Sequence, residues 1–92
     1  MSDPFRLDGK RAVVTGAGKG IGRGISLQLA KAGADLVISS RTQEDLDSLA
    51  IEIEALGRQV AKVVVDVTNT AELEDLAAQA VAGGGIDVWV NN

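Results

Sequence analysis

The chain has no cysteine, no tyrosine and a single proline, and its aromatic side chains are limited to one phenylalanine and one tryptophan. The absence of cysteine excludes a disulfide-bonded scaffold and a metal site built on thiolates. With so little aromatic bulk, the core is expected to consist of Val, Ile, Leu and Ala, as in strands that helices cover on both faces. Apolar residues make up 46% of the 92 residues, which indicates a globular rather than a disordered chain.

Long apolar runs are also absent. No stretch approaches the roughly 18 consecutive apolar residues of a membrane span, and Met1 to Lys10 has no apolar core of the kind found in a signal peptide. We therefore expect a cytoplasmic protein without a membrane partner. The formal charge of −4 argues against a nucleic-acid partner held by general electrostatics.

Short apolar runs alternate with longer segments of helical periodicity. Residues 12–15, 36–39, 60–65 and 86–90 predict four strands. Between the first two, Ile21, Ile25 and Leu29 recur at four-residue spacing as one face of a helix that Gly33 ends. The apolar stripes of the next two helices are Leu46, Leu49, Ile53 and Leu56, and then Leu73, Leu76, Ala77 and Ala80. Thr42 is predicted to cap the second helix, and Thr68, Asn69 or Thr70 the third.

The order β-α-β-α-β-α-β with short connections predicts an α/β fold. Right-handed crossovers between such strands give a parallel sheet with helices on both faces. No composition shift, repeat or low-complexity tract divides the chain, so residues 1–92 form one unit.

A glycine-rich segment, residues 15–22, follows the first strand directly. Backbone N–H groups at a helix N-terminus bind a pyrophosphate, and glycines let the backbone approach it. The pattern G-x-G-x-x-G does not fit, because Ile21 stands where its third glycine would be. The P-loop pattern does not fit either, because Gly20 follows Gly18-Lys19 in place of Ser or Thr. The alternative to a phosphate-binding loop is a glycine-rich turn whose only role is to let the helix and the strand pack closely.

The pattern that fits is T-G-x-x-x-G-x-G, filled by Thr15, Gly16, Gly20 and Gly22. On this motif the chain resembles the short-chain dehydrogenase/reductase family. Asn91 and Asn92 match the first two letters of the family's N-N-A-G motif after the fourth strand. The resemblance implies a partial NAD(P)-binding Rossmann domain over residues 1–92, incomplete and truncated after its first four strands.

The preferred cofactor is predicted from the end of the second strand. An acid there binds the ribose 2′-hydroxyl of NAD, whereas a base accommodates the 2′-phosphate of NADP. Here Ser40 and Arg41 stand at this position, with no acid until Glu44, and Lys19 lies in the glycine segment. In the family that this chain resembles, bases at these two positions mark members that prefer NADP. We therefore expect NADP(H) as the cofactor, with NAD(H) as the alternative. The competing interpretation of Lys19 and Arg41 is that both are ordinary solvated surface charges.

The resemblance also implies roles for Asp66 and Val67, whose carboxylate and backbone amide would hold the adenine ring. Arg23, one turn into the first helix, is expected to lie on a solvated face. No metal ligand and no catalytic residue is predicted. The predicted cofactor-binding residues are Gly16, Gly18, Lys19, Gly20, Ile21, Gly22, Ser40, Arg41, Asp66, Val67, Asn91 and Asn92.

The function follows from the same resemblance. Family members transfer hydride with a Ser, a Tyr-x-x-x-Lys pair and usually an Asn, all after strand four, and this chain has no tyrosine. We therefore expect an N-terminal fragment, inactive alone, of an NADP(H)-dependent enzyme that interconverts a carbonyl and a secondary alcohol. The parent enzyme is expected to be a homo-oligomer. A non-catalytic NADPH-binding module is the first alternative. An unrelated doubly wound domain, flavodoxin-like or receiver-like, is the second.

Overall fold

A computed structural model describes residues 6–66 and 68–92 and contains seven regular elements. They alternate in the predicted order. Their bounds are β1 Arg11–Val14, α1 Gly20–Lys31, β2 Asp35–Ser40, α2 Gln43–Ala55, β3 Val60–Val64, α3 Thr70–Ala82 and β4 Val88–Val90.

The four strands form one parallel sheet in the order β3-β2-β1-β4. Val13 of β1 pairs with Val37 of β2 on one side and with Trp89 of β4 on the other. The crossovers between neighbouring parallel strands place the helices on the sheet faces. The predicted α/β class, a Rossmann-type sheet represented by its first four strands, is therefore confirmed.

Both faces of the sheet carry a helical layer. On one face, Val14 and Ile38 belong to a buried cluster with Ala30 of α1 and Leu49 of α2. On the other face, Val13 and Val37 form a cluster with residues of α3 that include Leu76 and Ala80. Side chains alternate between the two clusters along β1 and β2, which is the period of a strand buried on both faces.

The first helix buries a different face from the one that its apolar stripe suggested. Its buried residues are the small ones Gly22, Ser26 and Ala30, whereas Ile21 is 75% exposed. The reason is the close approach of the helix to the preceding turn, because a Cβ on Gly22 would lie 2.3 Å from the carbonyl oxygen of Gly16. Only small side chains fit between a helix and a backbone at that separation. Of the predicted stripe, Ile21 therefore points outward, whereas Ile25 and Leu29 are half-buried and Leu29 packs against the core.

The other two helices follow the prediction more closely. The buried face of α2 is Leu46, Leu49, Ala50 and Ile53, and the buried residues of α3 are Leu76 and Ala80. Leu56, expected in the α2 stripe, lies just past the helix and is 40% exposed. Thr42 is the N-cap residue of α2 but makes no side-chain cap bond, whereas the Asn69 side chain accepts a hydrogen bond from the Glu72 amide at the start of α3.

The three helices in the described part of the chain have 12 or 13 residues each. None of them has the length and apolar character that a bilayer crossing requires.

Candidate functional site

The carboxyl ends of the parallel strands bring the predicted site residues to one edge of the sheet. The glycine turn follows β1, Ser40 and Arg41 come at the end of β2, Asp66 follows β3, and Asn91 and Asn92 follow β4. Ligands of open α/β sheets bind outside this edge. Val67, also predicted here, lies outside the described residues.

The glycine turn bends back over β2 through two residues with positive φ. Gly16 has φ +60° and Gly20 has φ +56°, values that favour glycine strongly. The amide of Ala17, between them, donates a 2.8 Å hydrogen bond to the carbonyl of Ser39 and so ties the turn to β2. At Gly20, apart from its chain neighbours and the helix's own backbone, no heavy atom of the described chain lies within 4 Å of the position that a Cβ would occupy. The turn therefore leaves open space in front of α1.

Gly18 serves a different purpose from Gly20. A Cβ at this position would stand 2.7 Å from the Cβ of Asp45 and 2.8 Å from the Oγ of Ser40. Gly18 is buried against these two side chains, so its missing side chain lets the start of α2 approach the turn. The sequence motif alone did not distinguish this packing role from an approach to phosphate.

The N-terminus of α1 has the properties of an anion site. Lys19 is the N-cap residue and makes no side-chain cap bond, and the first turn of the helix contains no acidic residue. The first amides of a helix lack intrahelical acceptors, and the helix dipole gives this end a partial positive charge. Together with the open space at Gly20, these donors fit a bound diphosphate.

Two cations flank a cavity of about 300 Å³ that lies between the glycine turn, the end of β2 and the start of α2. The Lys19 side chain is 83% exposed and its Nζ lies 3.8 Å from Oδ2 of Asp45. Arg41 is exposed, and its guanidinium makes no hydrogen bond or ion pair to any residue in 6–66 or 68–92. The cavity therefore offers positive charge at the position predicted for a sugar phosphate.

Asp66 closes this edge on the side of β3. Its Oδ1 accepts hydrogen bonds from the hydroxyl of Thr68 at 2.7 Å and from the Thr68 amide at 2.9 Å. These two bonds, the hydroxyl first, hold the pKa of Asp66 below its ordinary value, and the nearby charge of Arg41 lowers the pKa further. The carboxylate thus helps to shape the loop between β3 and α3, with Arg41 close enough to affect it.

The ends of β1 and β4 are joined through the buried side chain of Thr15. Its hydroxyl accepts a hydrogen bond from the Asn92 amide at 3.1 Å and lies 3.2 Å from Oδ1 of Asn91 and 3.3 Å from the carbonyl oxygen of Val90. The Asn92 side chain donates a 3.1 Å hydrogen bond to the carbonyl of Gly16. Both asparagines therefore contact the first two residues of the glycine motif, and Thr15 joins the set of site residues.

Arg23 has a role that the sequence did not predict. Its guanidinium donates to the Oγ of Ser48 at 3.1 Å, pairs with the carboxylate of Glu52, and reaches the carbonyl of Gly18 at 3.4 Å. The expectation of a freely solvated side chain was wrong, because Ser48 and Glu52 sit on the face of α2 turned towards α1. Arg23 links both helices to the glycine turn. The spacing of Ser48 and Glu52 on one helix face is the only sequence feature that hinted at it.

A second cavity, of about 350 Å³, lies at the opposite, amino edge of the sheet. Its polar groups bond within the chain: the Arg11 amide donates to Asp87, and the Gln59 amide donates to Asp35. No group of three or more carboxylate, imidazole or thiol side chains suited to a metal ion occurs in the described ranges. The carboxyl edge remains the candidate site.

A four-stranded parallel sheet with helices on both faces and a glycine turn after β1 defines a Rossmann-type α/β protein. Residues 10–92 match the model of the short chain dehydrogenase family. The chain belongs to this short-chain dehydrogenase family.

Three relatives illustrate the similarity. The chain is 48% identical to an uncharacterized oxidoreductase of Mycobacterium tuberculosis, over 98% of its own length, and 50% identical to the L-xylulose reductase of Bos taurus, over 96%. Among solved structures, 7 alpha-hydroxysteroid dehydrogenase complexed with NADH and 7-oxo glycochenodeoxycholic acid superposes with a TM-score of 0.91 at 42% identity and covers 96% of this chain. The chain spans only about a third of each relative: 35%, 33% and 35%, respectively.

Proposed function

We propose that the chain is the cofactor-binding part of an NADP(H)-dependent oxidoreductase that interconverts a carbonyl and a secondary alcohol. One observation carries the proposal: an uncapped helix N-terminus behind the open space at Gly20, with Lys19 and Arg41 beside the adjoining cavity. The relatives named above are a dehydrogenase, a reductase and an oxidoreductase, which supports the reaction class. The structure of the hydroxysteroid dehydrogenase with NADH supports a nicotinamide dinucleotide as the cofactor class.

The roles of the residues follow from their positions. The amides at the start of α1 would donate hydrogen bonds to the diphosphate. Arg41 would pair with the 2′-phosphate through two parallel N–H groups, and Lys19 would add a second positive charge from the glycine turn. Ser40 would donate its hydroxyl to the same group. These contacts favour NADP(H) over NAD(H), because only the former carries the additional phosphate.

The remaining predicted residues complete the binding edge. Asp66, held by Thr68, would accept a hydrogen bond from the adenine, with the Val67 amide beside it. Asn91 and Asn92 would support the edge next to the second ribose while they hold the glycine turn through Thr15 and Gly16. The cofactor, when bound, supplies or accepts the hydride. The acid–base group acting on the substrate oxygen would come from residues other than these 92, which include no tyrosine. We further propose a cytoplasmic homo-oligomer.

The test is the cofactor preference of the full-length protein and of its Arg41→Asp variant. We expect NADPH to bind more tightly than NADH, and Arg41→Asp to weaken NADPH binding by about tenfold or more while sparing NADH, because the new carboxylate repels the 2′-phosphate. Titration of the fluorescence of each reduced cofactor measures both dissociation constants. Lys10→Asp, with the same charge change at the amino edge, is the matched control. An unchanged preference in Arg41→Asp would refute the role of Arg41.

A second candidate is a non-catalytic NADPH-binding module, because all the groups proposed to hold the cofactor lie within these 92 residues. In this case residues 1–92 alone would bind NADPH, and the protein would not convert any carbonyl compound. The test is to mix the full-length protein with NADPH and carbonyl compounds and to follow the absorbance of the reduced nicotinamide. Oxidation of NADPH would exclude the non-catalytic module.

A further inference from the structure

The cavity at the carboxyl edge contains an acidic side chain as well as two basic ones. Asp45, in the first turn of α2, lines the cavity together with Lys19 and Arg41. Its side chain is 25% exposed, and its Oδ2 lies 3.8 Å from Nζ of Lys19. The Cβ of Asp45 packs against the backbone of Gly18, which fixes the carboxylate beside the glycine turn.

The sequence drew attention to a different acid. Glu44 is the first acidic residue after β2, but it is exposed and does not line the cavity, whereas the next residue of the helix, Asp45, faces the glycine turn. Consecutive helical residues point about 100° apart, so only one of the two carboxylates is directed to the cavity. The structure thus contains an acid near the position where NAD-binding members of such folds use one to hold the ribose hydroxyl.

This arrangement affects the two cofactors in opposite directions. A carboxylate accepts hydrogen bonds from the ribose hydroxyls of NAD(H), which carry no negative charge that would repel it. The same carboxylate repels a 2′-phosphate that carries nearly two negative charges, and it competes with that phosphate for Lys19. The preference that Lys19 and Arg41 create is therefore reduced by a group within the same cavity.

We propose that Asp45 is a specificity-determining residue, whose carboxylate limits the preference for NADP(H) and keeps NAD(H) usable as a cofactor. The inference rests on the proposed function, because it concerns the adenosine end of the same site. Asp45 is outside the reacting centre, so its effect belongs to the ratio of the two cofactor affinities.

Asp47 provides a matched control two residues further along α2. It is also an acidic residue of this helix, but its Oδ1 accepts hydrogen bonds from Lys62 and Gln43, each at 2.8 Å, and it does not line the cavity. Asp47→Asn makes the same change of charge in the same helix. Any general effect of lost negative charge on α2 therefore appears in both variants, and an effect on the cavity only in Asp45→Asn.

The experiment measures the dissociation constants of NADP⁺ and NAD⁺ by calorimetry for the full-length protein and for both variants at low salt. In Asp45→Asn we expect the ratio Kd(NAD⁺)/Kd(NADP⁺) to rise by about tenfold, and in Asp47→Asn to stay within about twofold of the original. Asp45→Glu, which keeps the charge, is expected to stay near the original ratio. Asp45→Ser replaces Asp45→Asn if the latter does not fold.

Suppose that NADP⁺ binds the original protein but that the ratio in Asp45→Asn falls or rises by less than about threefold. This result would overturn the role of Asp45. Failure of the original protein to bind either dinucleotide would instead overturn the proposed function. The two failures are therefore distinguishable.

Discussion

Gly22 lies directly against Gly16, so that a Cβ on Gly22 would stand 2.3 Å from the Gly16 carbonyl oxygen and 2.7 Å from Nδ2 of Asn92. Both neighbours are held in place: Gly16 has a positive φ, and Asn92 is bonded to Thr15 and Gly16. Gly22, the third motif glycine, thus determines how closely α1 approaches the turn. Gly24, two residues further along the helix, has no heavy atom of the described chain outside the helix's own backbone within 4 Å of its Cβ position.

These two glycines give opposite predictions for the same substitution. Gly22→Ala is expected to lower the free energy of unfolding by about 2–3 kcal/mol, because the methyl group meets backbone that cannot move away. Gly24→Ala is expected to raise it by about 0.5–1 kcal/mol through helix propensity. Urea unfolding of the full-length protein measures both. Equal effects of the two substitutions would show that Gly22 does not set the helix position.

Thr15 is predicted to stabilise the folded protein through its hydroxyl group rather than through its methyl group. Thr15→Val removes the acceptor of the Asn92 amide from a buried position and is expected to cost about 1–3 kcal/mol of unfolding free energy. Thr15→Ser keeps the hydroxyl and is expected to cost about 1 kcal/mol or less. Chemical denaturation compares them. A valine variant as stable as the serine variant would contradict the proposed link between β1 and β4.

Ser39 is expected to be replaceable with a gain in stability. It is fully buried in β2, and its Oγ has no hydrogen-bond partner among residues 6–66 and 68–92. Removal of an unsatisfied buried hydroxyl removes its desolvation penalty, so Ser39→Ala is predicted to raise the free energy of unfolding by about 1 kcal/mol. Thermal unfolding checks the direction. A clear loss of stability would show that the hydroxyl has a partner in the folded protein.

The carboxylate of Asp66 makes stability depend on pH in the acid range. Because the Thr68 bonds lower its pKa from the ordinary value of 3.8, the charged form is favoured by folding. This contribution is fully present above the ordinary pKa and is lost as the pH falls through the lower, folded-state pKa. The difference in unfolding free energy between the original protein and Asp66→Asn is therefore expected to shrink below about pH 4. A difference that stays constant down to pH 2 would contradict it.

Most of the fold could be predicted from the periodicity of apolar residues and from the glycines that end the helices. Strands of β-branched residues, helices of fixed apolar spacing, and glycines such as Gly33 between them determine the alternation of elements, and the parallel sheet follows from it. The cap at Asn69 was within reach of the same reasoning. These features depend on residues that are neighbours in the sequence.

The errors concern contacts between elements. Ile21 was predicted to lie on the packing face of α1, but the neighbouring face of Gly22, Ser26 and Ala30 is the buried one. Arg23 and Asp45 gain their partners only when α1 and α2 pack side by side, at a separation that Gly18 sets. Periodicity gives no information about that separation. The placement of Asp45 in the cavity therefore required the structure.

The most direct test of the central claim is a crystal structure of the full-length protein with NADP⁺ bound. We predict that diphosphate oxygens accept hydrogen bonds from amides of residues 20–22 and that the 2′-phosphate contacts the Arg41 guanidinium. A dinucleotide bound away from the glycine turn, or with its 2′-phosphate turned away from Arg41 and Lys19 into solvent, would contradict the proposed NADP(H) site.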